Sequence, residues 1–122
     1  MAHTCEGIVV HCMDFRLQKY LNDWCEQTMG SGNYDRVSIA GAVYDADLVL
    51  KHVALSHRLH HIRRVVLINH EDCGAYGEAG TYERHKADLA RVQGMIQALL
   101  PHVQVEKYYL HLDGTFERVD EP

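Results

Sequence analysis

The sequence predicts an α/β fold. The expected architecture is three-layer αβα, with a mostly parallel sheet of four to five strands in the order 2-1-3-4. Short β-branched runs alternate with longer stretches whose apolar residues recur at helical spacing. The alternation reads β-α-β-α-β-α-β, which supplies the crossover helices that parallel neighbours need. A length of 122 residues suits one domain spanning residues 1–122.

Each element has its own signal. "GIVVHC" is a short buried strand opened by Gly7. "FRLQKYLNDWCEQTM" places Leu17, Tyr20, Leu21, Trp24 and Met29 at helical spacing and stops at the glycine-rich "GSGNYD". "RVSIAG" is the second strand. In "DADLVLKHVALSHRLHH" the next helix starts from Asp45 or Asp47 as N-cap. "RRVVLIN" is the third and most apolar strand, followed by the loop "HEDCGAYGEAG". A long helix, "TYERHKADLARVQGMIQALL", begins after an N-cap at Thr81 and ends before Pro101. "VQVEKYYLHL" alternates in a way that suits a sheet edge, and "DGTFERV" reads as a turn and a short last strand.

Composition narrows the functional classes. A hydrophobic fraction of 47% and a charged fraction of 24% are ordinary for a globular protein. The net charge of −5 argues against a nucleic-acid partner, which favours a basic face. No apolar run is long enough to cross a bilayer, and "MAHTCEGIVV" lacks the pattern of a secretory signal. A cytoplasmic location is therefore expected, with no membrane partner. In a reducing compartment, any special member of the four cysteines serves metal binding or catalysis rather than a disulfide. Ten histidines point the same way.

In open parallel sheets, sites form beyond the carboxyl ends of strands, where strand order reverses. Order 2-1-3-4 puts that point between strands one and three. Cys12 ends the first strand, and His70 and Cys73 follow the third. A cysteine with an arginine close behind can be a thiolate that attacks phosphate. Such cradles, however, need a longer, glycine-bearing loop than the "MDF" between Cys12 and Arg16, and Asp14 would set like charges together. Metal binding fits better. His70 and Cys73 have the spacing to turn toward a common centre, and Cys12 supplies a third ligand. Three protein ligands leave one position open, as in catalytic zinc sites.

"CMDFR" and "HEDCGA" together resemble the paired Cys-x-Asp-x-Arg and His-x-x-Cys-Gly-Ala motifs of the β-class carbonic anhydrases. Motif order and spacing agree with that family over most of the chain. The resemblance implies Zn²⁺ held by Cys12, His70 and Cys73, and hydration of CO2 to bicarbonate by a zinc-bound hydroxide. It makes Asp14 and Arg16 the catalytic helpers, Asp14 orienting the water and Arg16 holding that carboxylate. It also implies that Asp14, once free of Arg16, can take the fourth zinc position. The small-residue turn at Gly41 is expected to line the site, and amides in "CGAYG" to support the Cys73 thiolate. The family pattern implies a small-molecule substrate and a homodimer or dimer-based oligomer.

The sequence departs from the family where "VSIAGAV" puts Ala42 at the place of a family asparagine. It also begins its first strand without the N-terminal helices common in the family. Three readings follow: CO2 hydration, hydrolysis of COS or CS2 by the same chemistry, and a non-catalytic zinc-containing binding protein. Elsewhere the bland reading prevails. Cys5 and Cys25 are expected to be bystanders, and His57 and His61 a solvated helix face. His11 is expected to face away from Cys12, and Tyr76 to border the pocket or to pack.

Overall fold

A computed structural model describes residues 3–120. Its sheet contains β1 (Gly7–His11), β2 (Tyr34–Ser38), β3 (Arg64–His70), β4 (Gln104–Leu110) and β5 (Phe116–Arg118). Their order is β2-β1-β3-β4-β5; the first four are parallel in the order the sequence predicts, and β5 adds an antiparallel pair. The helices are α1 (Gln18–Met29), α2 (Ala46–His60) and α3 (Tyr82–Leu99). No helix of the described residues is long and apolar enough to cross a membrane.

The pleat separates the core into two layers. Val9, Val66 and Ile68 project toward α1 and pack with Leu17, Leu21, Cys25 and Met29. Their neighbours Ile8, Val10, Val65 and Leu67 face the other way, onto Val49 and Val53 of α2 and Leu89, Val92 and Ile96 of α3. This burial of both faces explains why β1 and β3 read as continuous apolar runs rather than alternating ones.

The N-caps fall where side-chain chemistry predicts. Asp45 accepts a hydrogen bond from the Leu48 amide at 3.2 Å, and Thr81 accepts one from the Arg84 amide at 3.1 Å. The first helix begins later than its periodicity suggests, because Phe15–Leu17 form a tighter 3-10 turn. β2 begins earlier, taking Tyr34 and Asp35 from the expected turn. The expectation that β4 lies at the edge is wrong. After the turn at Asp113 and Gly114, β5 pairs antiparallel with β4 and takes the edge itself. β4 is consequently buried along most of its length.

Register positions the site. His11 pairs with Ile68, so β3 runs two residues past the end of β1, through Asn69 to His70. The order reverses at this place, leaving a cleft between the carboxyl ends of β1 and β3.

Candidate metal centre

Three donors converge in that cleft. Cys12 follows β1, His70 ends β3, and Cys73 sits in the loop beyond. All three are buried, and their ligand atoms lie within 4.8 Å of one another. Close backbone approach makes this possible. The Gly41 amide donates to Cys12 Sγ at 3.3 Å, and Gly41 adopts a left-handed φ of 78°. A Cβ there would stand 2.7 Å from the Cβ of Tyr44 and 3.0 Å from that of Ala75, so the turn requires glycine.

His70 is oriented for ligation. Its Nδ1 donates to the Glu71 carbonyl at 2.7 Å, which puts the proton on Nδ1 and leaves a lone pair on Nε2. Nε2 is buried with no hydrogen-bond partner among the described residues. His85 Nε2 is unpaired too, but His70 stands with two sulfurs, and a cation shared with them would satisfy its nitrogen.

Electrostatics agree. A hydrogen bond from Cys73 outweighs burial and draws the Cys12 thiol well below its ordinary range, helped by His70 and by the Gly41 and Asp14 amides. The same interaction, with burial, pushes Cys73 up, while the Tyr76 and Ala75 amides pull it down as expected for "CGAYG". Burial alone would lower His70, but the neighbouring Cys12 thiolate raises it. The cluster therefore gathers negative charge and shared protons in a confined place. Two sulfurs and an imidazole nitrogen could hold a zinc-type ion, which takes the place of those protons.

Asp14 and Arg16 stand at the rim. Arg16 grips both carboxylate oxygens, with Nη2 to Oδ2 at 2.7 Å and Nε to Oδ1 at 3.1 Å. This pairing draws Asp14 down to about 2, so it is a carboxylate throughout the neutral range. Asp14 Oδ2 lies 3.9 Å from His70 Nε2, close to the donor cluster while held by Arg16.

Sequence reasoning missed two features. Asp72, inside the His70–Cys73 loop, meets Arg16 through both its carboxylate and its carbonyl. A polar network also lies behind the cluster. Asn69 Nδ2 donates to His85 Nδ1 at 2.8 Å and to Tyr76 Oη at 3.1 Å, and Tyr76 Oη donates to Asp88 at 2.9 Å. The available signal was Asn69 itself, a polar residue directly after the buried apolar run Val65–Ile68. Tyr76 thus both packs against Cys12 and Cys73 and anchors this network. Ala42 is wholly buried, at a left-handed φ of 50°. A cleft of about 430 Å³ lined by Ala40, Tyr44, Asp45 and Ala75 opens beside the Gly41 turn.

The remaining candidates separate clearly. Cys25 is a core residue on the buried face of α1. His61 caps α2, and neither it nor His57 belongs to a metal-ligating group among the described residues. His11 is buried, and its Nε2 accepts from Arg36 at 2.7 Å. Cys5, expected to be a bystander, stands with Asp35 and His60 in a second group of potential ligand atoms.

Comparisons with known proteins bear on the family and the fold. The family described as "Putative carbonic anhydrase" matches residues 2–120. An uncharacterized protein of Rickettsia conorii is 26% identical, over 93% of this chain and 72% of its own length. A carbonic anhydrase from Glaciozyma antarctica superposes with a TM-score of 0.72 at 17% identity, covering 98% of this chain and 85% of its own. The apo form of a carbon disulfide hydrolase gives a TM-score of 0.61 at 13% identity, over 100% of this chain and 82% of its own.

Proposed function

The chain belongs to the β-carbonic anhydrase-like family, and on that premise we propose that it hydrates CO2 to bicarbonate with zinc held by Cys12, His70 and Cys73. The observation that carries this reading is the orphaned Nε2 of His70, buried within 4.8 Å of two thiol sulfurs. Zinc in such a three-ligand setting acidifies water and supplies a nucleophile at neutral pH.

The chain's own residues do the rest. Cys12 and Cys73 provide negative charge that balances a divalent ion. Asp14 accepts a hydrogen bond from the reacting water and turns its lone pair toward the substrate carbon. Arg16 fixes Asp14 in that role and keeps it from swinging onto the donors. Tyr76, locked by Asn69 and Asp88, forms an apolar wall against the two cysteines. Residues 1–122 act as one catalytic unit, and the exposed Met13 and Phe15 that flank Asp14 suit a dimer contact over the cleft.

Stopped-flow CO2 hydration by the zinc-loaded chain tests the activity. A rate above the buffer background is expected. Zinc bound at full occupancy without such a rate rejects CO2 hydration. Hydrolysis of COS or CS2 is the second reading, since the same donors and the same Asp14 suit another linear electrophile. Sulfide release from either substrate without CO2 hydration selects it. Neither activity would leave a non-catalytic zinc-binding role.

A further inference from the structure

The amino end of the sheet carries a second cluster, opposite the cleft. Cys5 Sγ, a carboxylate oxygen of Asp35 and a ring nitrogen of His60 lie within 4.8 Å of one another, all half-buried. These residues come from three separate parts of the chain: the segment before β1, the start of β2, and the last turn of α2. Main-chain bonds hold them together. The Cys5 amide donates to the His60 carbonyl at 3.2 Å, and Asp35 is fixed opposite Ile8 in the β1–β2 ladder.

The side chains already converge on Asp35. His60 Nδ1 and Ser56 Oγ both donate to the same oxygen of Asp35, each at 2.6 Å. The ring of His3 stands 5.3 Å from that of His60, and a cavity of about 190 Å³ is lined by His3, Cys5, Tyr34, Asp35 and His60. His3 is exposed and can turn without disturbing the core. A thiolate, a carboxylate and two imidazoles together form a donor set that borderline-soft divalent ions prefer over calcium or magnesium.

We propose that Cys5, Asp35 and His60, with His3 as the fourth donor, form a second zinc-type site. It is structural in kind: all four positions are protein ligands, so none is left for substrate. The ion clasps the segment before β1 to β2 and to the end of α2. Binding releases to solvent the Cys5 thiol proton, which now points to the Gly7 carbonyl at 3.6 Å, and shifts the proton that His60 Nδ1 gives to Asp35 onto Nε2, which frees Nδ1 to ligate. The site is independent of the proposed activity, because it shares no residue with the cleft.

Zinc titration of the full chain, read by metal analysis after removal of free metal, tests the proposal. The wild-type chain is expected to retain a second zinc equivalent, which Cys5→Ser and His60→Ala each abolish. Cys73→Ser should lose the first equivalent and keep the second. One zinc per wild-type chain, or two in Cys5→Ser, overturns the proposal. Alkylation of Cys5 in the wild-type chain, followed by peptide mass mapping, needs no variant. The second zinc equivalent should slow it by about tenfold or more, as metal-bound thiolates are shielded. An unchanged rate also overturns the proposal.

Discussion

Arg16 reaches across the cleft to Asp72, with Nη1 3.2 Å from the carboxylate and Nη2 3.0 Å from the main-chain carbonyl. The same guanidinium holds Asp14. One side chain thus joins the loop after β1 to the loop between His70 and Cys73.

The two attachments should differ in weight. The Asp72 carboxylate is 73% exposed, whereas that of Asp14 is 14% exposed. Exposed ion pairs contribute little. Asp72→Ala is therefore expected to change CO2 hydration by less than about threefold. Arg16→Gln frees Asp14 and should lower kcat/KM by about 10- to 100-fold, the scale of a misplaced catalytic group. Metal analysis should find the zinc content of Arg16→Gln unchanged. Equal effects of the two substitutions would show that Arg16 acts through the loop rather than through Asp14.

Tyr76→Phe tests the network behind the cluster. The hydroxyl donates to Asp88 and accepts from Asn69 in a buried place. Its removal leaves both partners short and should cost about 1–3 kcal/mol in urea unfolding. Zinc stoichiometry should be unaffected, since the ring that packs against Cys12 and Cys73 is retained.

Glu106 should contribute to the acid limb of stability. Burial raises its pKa, but the hydrogen bonds and charge of Arg64 outweigh burial and hold it below the ordinary 4.5. A carboxyl with a lowered folded pKa stabilises the fold fully above its unfolded pKa. That contribution disappears as pH falls below about 4.5 and through the folded value. Glu106→Gln should thus cost about 1–3 kcal/mol at neutral pH, the scale of a charge-assisted hydrogen bond. The gap from wild type should narrow in urea titrations as pH falls below about 4.5. A constant gap across that range would mean that packing, not charge, sets the effect.

Much of this was legible in the sequence because the relevant signals are local. β1 and β3 are short apolar runs buried on both faces, and the donors sit at their carboxyl ends in two compact motifs. Topology then joins Cys12 to His70 and Cys73 without further information. What sequence reasoning missed depends on long-range contact. The burial of β4 depends on β5 folding back over it, and the alternation of β4 alone does not reveal that partner. The Asn69–His85 bond spans β3 and α3, and Cys5 meets Asp35 and His60 only through the β1–β2 pairing and the packing of α2. None of these leaves a periodic trace in the chain.

The central claim is that one zinc ion binds to Cys12, His70 and Cys73. Zinc K-edge absorption of the Cys5→Ser chain, loaded with one zinc per chain, tests it most directly because the second cluster is then disabled. The expected shell has two sulfurs at about 2.3 Å and nitrogen or oxygen at about 2.0–2.1 Å. A shell with fewer than two sulfurs would contradict the assignment.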